Sequence, residues 1–233
     1  MVLGDIWGLQ FDRFLTEDDF NADGSLKAGL PDQTKVFPAG YQFAPGDVLY
    51  KDLDNNGEIV KQTNTNDKGD LSVIGNALPR LQFGLNLDAA WKGFDISMFF
   101  QGVAKRKLWA AGNQVLPGFT TGEPFYKGAE DYWTPENTDA FYPRPMDYKQ
   151  SASGNYSVND RYLLNMAYLR LKTFTVGYSL PKVWLSKFKV QGLRVYFTGE
   201  NLFTIDGVKP AIDPEIGIRT ASGKSDQRNF GRS

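Results

Sequence analysis

The feature that most constrains the fold is a long alternation of apolar and polar residues toward the C-terminal end of the chain. The stretch YLRLKTFTVGYSL occupies residues 168–180. The residues that share its aromatic side are Phe174, Val176, Tyr178 and Leu180. A period of two residues predicts a β-strand with one apolar face. Continued toward the N-terminus, strict alternation places Arg170 and Lys172 on the aromatic side as well.

Two environments produce this pattern. In a soluble β-sandwich the apolar face covers a core, whereas in an outer-membrane β-barrel it meets lipid and the polar face lines a wet lumen. The mean hydropathy is −0.40, and no segment approaches the ~20 apolar residues of a membrane helix. A membrane strand needs only ~10 alternating residues, so this pattern leaves both environments open.

The clearest hairpin is predicted at RLQFGLNLDAAWKGFDISMFFQGV, residues 80–103. Apolar and polar side chains alternate along both arms, and Lys92-Gly93 supplies the tight turn. Another strand is predicted at LRVYFTGENLF, residues 193–203. The two hairpins are joined by a connection of ~60 residues, a length that is unusual inside a compact soluble domain. Outer-membrane barrels, in contrast, alternate short periplasmic turns with long extracellular loops.

Composition narrows the function classes. The chain contains no cysteine and no histidine, which removes disulfides, thiolate metal sites and catalytic arrangements that need an imidazole. Carboxylate or lysine chemistry stays open, so composition counts against an enzyme without excluding one, and the expectation that the protein is not an enzyme rests also on the motifs described below. The net charge is −1 and no basic stripe stands out, so we expect no nucleic-acid partner.

An aspartate-rich loop provides a candidate calcium site. The residues spaced like the front of a calcium loop are Asp52, Asp54, Asn56 and Glu58. Glu58 would contribute its backbone carbonyl at the seventh position. The twelfth position is Thr63 instead of glutamate, so Asp67 or Asp70 is the candidate to close the site. The alternative is a set of Asp-Asn-Gly turns in an exposed loop.

The long connection between the hairpins is dense in aromatic residues, and binding residues concentrate on loops that a rigid scaffold carries. The candidates to stack on a sugar ring or to contact a partner protein are Trp109, Phe125, Tyr126, Tyr132 and Trp133. The alternative is a self-packed loop whose rings form a small local core.

Several motifs stand together in one order. They are GDVLYKDLDNNGEI (46–59), VIGNALPRLQFGLNLDAAWKGFDISMFFQGV (73–103), YLRLKTFTVGYSLPKVWL (168–185), LRVYFTGENLFTI (193–205) and DPE (213–215). In order and spacing this set resembles the region near the C-terminus of the SusC/RagA family. That family consists of TonB-linked (TonB-dependent) outer-membrane transporters of Bacteroidetes-type bacteria.

The resemblance implies an all-β fold, in which antiparallel up-and-down strands form part of a large outer-membrane β-barrel with long extracellular loops. Residues 1–233 would be a partial C-terminal portion of that barrel, incomplete as given, without the plug, the N-terminal strands and the closing strand. The side chains expected to face lipid are Phe174, Val176 and Tyr178.

The resemblance also implies a function, which is import of oligosaccharides or peptides across the bacterial outer membrane into the periplasm. The implied partners are a SusD-like lipoprotein, TonB and membrane lipid, and the only candidate cofactor is calcium. Two alternatives stay open. One is a soluble surface β-sandwich that binds carbohydrate through aromatic and calcium-stabilised loops, and the other is a β-rich glycan hydrolase with a carboxylate pair.

Overall fold

The computed structural model describes residues 2–61, 67–110, 112, 115–117, 129–146, 154–209 and 212–215. The strands in these ranges are β1 (Asp5–Gly8), β2 (Phe11–Phe14), β3 (Val48–Tyr50), β4 (Ser72–Asn76), β5 (Leu81–Trp91), β6 (Phe94–Ala104), β7 (Lys107–Leu108), β8 (Leu164–Asn165), β9 (Tyr168–Ser179) and β10 (Arg194–Asp206). The helical elements are one α-helical turn, α1 (Lys182–Leu185), and 3₁₀ turns at Glu17–Asp19 and Ser186–Phe188. In these ranges no helix has the length and apolar character needed to cross a membrane. The predicted all-β fold is confirmed.

The largest sheet has four antiparallel strands in the order β5, β6, β9, β10. Its two hairpins are those predicted from alternation, and the long connection lies between the central strands β6 and β9. In the described part of the chain the outer strands β5 and β10 have no further partner. They are therefore the two edges of an open sheet, and the described residues form no closed barrel.

The two ends of this sheet differ in their connections. At one end Lys92 and Gly93 make the tight turn with φ angles of 48° and 90°, as the primed hairpin turns require. The backbone N–H of Ser179 donates to the carbonyl of Gly93 at 2.8 Å, so the connection that contains α1 begins beside this turn. We call this the turn end. The opposite end, from which the long connections leave, is the loop end.

The loops form small sheets and cores of their own. Strand β1 pairs with β4, β2 with β3, and β7 with β8. Sequence analysis expects one short strand before residue 16 and loop up to residue 80, so it misses three of the first four strands. The reason is their length, because three to five residues carry too little alternation to reveal a period.

Two clusters of buried apolar residues stabilise these loops. The first cluster comprises Leu9, Phe14, Val36, Phe37, Val48, Tyr50, Ile59, Trp133 and Ala140. The second comprises Ala110, Val115, Leu116, Tyr142, Tyr156, Tyr162, Leu164, Met166 and Val208. Each cluster contains residues from distant parts of the sequence, so the loops pack against one another instead of extending separately into solvent.

Candidate functional site

One face of the four-stranded sheet is apolar. Its members are Phe83, Leu85, Leu87, Trp91, Phe94, Ile96, Met98, Phe100, Leu171, Phe174, Val176, Tyr178, Val195, Phe197 and Phe203. In the described ranges no second sheet packs on this face. Many of its large side chains consequently stay accessible, such as Ile96 at 36%, Phe197 at 63% and Trp91 at 70%. A continuous apolar surface of this kind marks contact with lipid or with another apolar layer.

The other face is mainly polar, and a glycine on it leaves room for the ring of Phe99. Phe99 lies on this face, and a Cβ added to Gly84 of the neighbouring strand would stand only 3.0 Å from the Phe99 ring. Thr175 and Thr198 join their hydroxyl groups across β9 and β10 at 3.0 Å. The alternation predicted from sequence is thus realised in this part of the sheet.

The alternation breaks at Lys172. Phe99 of β6 pairs with Thr173, but the next β6 residue, Phe100, pairs with Leu171. Lys172 is therefore the extra residue of a β-bulge. Strand β10 shows a register shift at the same level of the sheet.

The prediction that Arg170 and Lys172 lie on the aromatic side of the strand is wrong, because the bulge shifts the alternation. Residues before the bulge change face, so Leu171 joins the apolar face and Arg170 the polar one. The guanidinium of Arg170 donates through Nε to the hydroxyl of Thr204 at 2.7 Å. The bulge thereby keeps two charges off the apolar face, and a strictly periodic pattern gives no sign of it.

Arg170 and Lys172 form an ion cluster with Asp213 and Glu215, the two acidic residues of the DPE motif, near the loop end. Arg170 lies 2.8 Å from Asp213 and 2.9 Å from Glu215, and Lys172 lies 2.7 Å from Glu215. A hydrogen bond from the backbone N–H of Glu215, and then the Arg170 guanidinium, hold the pKa of Asp213 below its usual value. The segment after β10 is thus fixed against the polar face by charge.

A second polar centre holds the loops together around Asp47, which is fully buried. Its Oδ1 accepts hydrogen bonds from the Tyr41 hydroxyl at 2.9 Å, Arg144 Nε at 2.8 Å and Asn155 Nδ2 at 3.0 Å. Its Oδ2 accepts from the backbone N–H of Ala44 at 2.9 Å. Burial, and then the Asp47 charge, raise the pKa of Tyr41 far above its usual value. This centre joins segments about a hundred residues apart, and no local sequence signal pointed to it.

The aspartate-rich loop brings three carboxylates together. Oxygens of Asp52, Asp54 and Asp70 all lie within 4.8 Å of one another. Asp70 is fully buried, and its two oxygens accept hydrogen bonds from the backbone N–H groups of Leu53 and Val60, each at 2.8 Å. One oxygen of Asp52 is buried without a hydrogen-bond partner. Loss of hydration, and the charges of Asp52 and Asp70, raise the pKa of Asp54.

The other candidate ligands of this loop take different positions. Asn56 Oδ1 accepts from the backbone N–H of Glu58 at 2.8 Å, which shapes the turn. The expected ligand of Glu58 is its backbone carbonyl, and its carboxylate forms an ion pair with Lys35. Thr63 lies outside the described residues. Of the two carboxylates expected to close the site, the structure brings Asp70 to it.

The candidate aromatic residues of the long connection divide into three groups. Trp133 is buried in the first core cluster, and Trp109 packs against the second. Tyr132 is 40% exposed, and its backbone forms an isolated β-bridge with Tyr142. Phe125 and Tyr126 lie outside the described residues. The positions of Trp109 and Trp133 are those of a self-packed loop, and Tyr132 is the accessible ring.

The chain is similar in sequence to three proteins that are all named TonB-dependent receptors. TonB-dependent receptor P3 of Formosa agariphila is 32% identical over 193 residues, which cover 80% of this chain and 17% of the relative. TonB-dependent receptor P26 of the same organism is 34% identical over 70% of the chain and 16% of the relative. TonB-dependent receptor SusC of Bacteroides thetaiotaomicron is 25% identical over 86% of the chain and 20% of the relative. No family model matches the chain.

Solved structures share the fold. The RagAB peptide importer in its open-open state matches 91% of this chain and 20% of its own with a TM-score of 0.56 at 18% identity. A further structure of the RagAB peptide transporter gives a TM-score of 0.57 over the same shares. The chain spans about a fifth or less of the length of each of these proteins.

Proposed function

We propose that this SusC/RagA-like chain forms part of the barrel wall of a TonB-dependent transporter in the outer membrane. The observation that carries this proposal is the uncovered apolar face of the four-stranded sheet, opposite a polar face. A barrel wall needs this arrangement, because one face meets hydrocarbon and the other meets water. The edges β5 and β10 would pair with further strands of the same barrel, since open edges are not tolerated in lipid.

The dimensions of the sheet agree with this proposal. The ten residue-to-residue steps from Tyr168 to Tyr178 span ~33 Å at ~3.3 Å per residue. A strand tilted by ~40° then rises ~25 Å, which is the height of the apolar band of an outer-membrane barrel. A soluble sandwich would require a second sheet over the apolar face, and the described residues supply none.

Cysteine labelling tests which face meets lipid. The chain has no cysteine of its own, so Val176→Cys introduces one defined thiol into this part of the full-length transporter, on the apolar face. We expect this thiol to react with a membrane-dissolved maleimide. Thr175→Cys is the matched control, because it lies at the same depth on the opposite face and should react only with a water-soluble reagent. Labelling of Thr175→Cys by the membrane-dissolved reagent, with Val176→Cys unreactive, would refute the proposed orientation.

The activity that we propose is import of a peptide or an oligosaccharide, without chemistry on the cargo. The names of the relatives support it, since SusC and the two Formosa proteins are TonB-dependent receptors and RagAB is a peptide importer. A SusD-like lipoprotein would contact the loop end, where Tyr132 is the accessible aromatic candidate, and TonB would act from the periplasm. Tyr132→Ala should weaken co-purification of the lipoprotein, and an unchanged yield would exclude this contact.

We also propose that Asp52, Asp54 and Asp70 bind one Ca²⁺. Calcium–oxygen distances are about 2.3–2.6 Å, so two ligands on opposite sides of one ion lie about 5 Å apart. The 4.8 Å limit on the three carboxylates fits that spacing. A calcium ion would also compensate the crowding of negative charge that raises the pKa of Asp54.

Calcium binding is measurable by isothermal titration of the full-length transporter. We expect Asp70→Asn to abolish one binding event, whereas Asp139→Asn, which removes an exposed carboxylate elsewhere in the loops, should leave it intact. Calcium removal should also speed hydrogen exchange at the Leu53 and Val60 amides, because both donate to Asp70. Equal binding by both variants would show that this cluster is not a calcium site.

A further inference from the structure

The turn end of the large sheet carries an uncompensated positive charge. Its exposed lysines are Lys92, Lys182, Lys187 and Lys189. In the described part of the chain none of the four forms an ion pair. The connection from residue 179 to residue 193 contains no Asp or Glu at all. Arg194 differs from the lysines, because its guanidinium is held by Asp95, with Nε 3.1 Å from Oδ1.

Large apolar side chains stand exposed among these lysines. Trp91 is 70% exposed, Val183 75% and Trp184 61%. The ammonium group of Lys92 lies 4.7 Å from the centre of the Trp91 ring. Exposure of such side chains to water does not stabilise a turn. Indole side chains beside lysines are typical of the boundary between membrane hydrocarbon and lipid headgroups.

The two connections of the turn end form one surface. Gly93 accepts a hydrogen bond from Ser179, and Leu180 N–H donates to the carbonyl of Leu193 at 2.9 Å. Trp91 also continues the apolar face, since it is paired with Phe94, whose ring lies 4.5 Å from that of Tyr178. The four lysines and the exposed rings beside them therefore form the border of the apolar face at the turn end of the sheet.

We propose that this border binds the headgroups of anionic phospholipids in the periplasmic leaflet. The inference rests on the proposed membrane orientation, in which short turns face the periplasm. Charge complementarity selects the occupant, because four unpaired lysines attract a phosphate that carries net negative charge more strongly than a zwitterionic headgroup. The loop side has the opposite character, since the first 70 residues hold 13 Asp and Glu against 6 Lys and Arg.

Lipid retention tests this inference. The full-length transporter is purified in detergent with equal amounts of phosphatidylglycerol and phosphatidylethanolamine, and the lipids that stay bound are counted by native mass spectrometry. Basic residues near a membrane surface each contribute a factor of about five, so two lysines that share one headgroup should enrich phosphatidylglycerol about 25-fold. Replacing the four lysines by glutamine should bring the ratio close to one. These side chains are exposed and unpaired, so the replacement should leave folding intact.

The matched control removes the same charge elsewhere. Its substitutions are Lys27→Gln, Lys51→Gln, Lys105→Gln and Lys209→Gln, all at exposed positions of the loops. This variant should retain phosphatidylglycerol like the wild type. Equal retention of both lipids by the wild type, or loss of the preference only in the control, overturns the inference. So does a four-lysine variant that keeps its lipid preference but loses a periplasmic protein partner.

Failure of the membrane orientation itself gives a different result. A transporter with the wrong orientation fails the cysteine test at Val176 whichever lipids it retains. A transporter that passes that test and still shows no preference for phosphatidylglycerol retains the proposed function and loses only the headgroup site.

Discussion

Replacing Asp47 with alanine tests whether a buried charge holds the loops together. The change removes the acceptor of four donors, contributed by Tyr41, Ala44, Arg144 and Asn155. Breaking a buried ion pair by removing one partner costs about 3–5 kcal/mol. The Arg144 side chain is 27% exposed, so water recovers part of this loss. The three hydrogen bonds from neutral donors add about 1 kcal/mol each, and with about 2 kcal/mol for the partly exposed ion pair the estimated total is about 5 kcal/mol.

Hydrogen exchange measures this effect locally. Three backbone amides report on the opening of the segment: Leu15, whose N–H donates to the Asp47 carbonyl, Gly46, whose N–H donates to the Leu15 carbonyl, and Val48, whose N–H donates to Asn155. A loss of about 5 kcal/mol corresponds to exchange several thousand times faster at these amides. The measurement uses the full-length transporter, with exchange followed by mass spectrometry.

The control is Glu58→Gln, which breaks an ion pair on the surface. Glu58 and Lys35 are both about half exposed, and such pairs contribute about 0–1 kcal/mol. Exchange should therefore change by a factor of about five or less. If the three amides near Asp47 exchange at the wild-type rate in Asp47→Ala, the Asp47 centre does not hold the loops and the energetic argument is wrong.

Two further predictions concern packing and pH. Gly154→Ala places a Cβ 2.1 Å from the Phe37 ring, so it should lower the melting temperature by an amount that corresponds to about 1–3 kcal/mol; Gly192→Ala, with nothing within 4 Å, should melt like the wild type. A hydrogen-bonded ion pair with Arg13 lowers the pKa of Asp19 to about 2, so its contribution to stability is complete above about pH 4 and is lost as the pH falls toward 2. Resistance to an acid protease should decline across that range, and Arg13→Gln should remove this dependence.

The sequence determined the elements whose information is local. The hairpin of β5 and β6 follows from alternation along both arms and from Lys92-Gly93, because side-chain direction in a strand depends only on position along it. The apolar positions Phe174, Val176 and Tyr178 follow in the same way. The all-β fold and the division into short turns and long connections therefore needed no tertiary information.

Tertiary structure decided the features that depend on distant residues. The bulge at Lys172 arises where strands meet, and it moved Arg170 to the polar face against the periodic pattern. Asp47 bonds to Arg144 and Asn155, which lie about a hundred residues away in the sequence. The fold of the aspartate-rich loop places Asp70 beside Asp52 and Asp54. The physical reason is the same in each case. Periodicity fixes where a side chain points, whereas register shifts, burial and charge pairing are properties of contacts between segments that the sequence keeps apart.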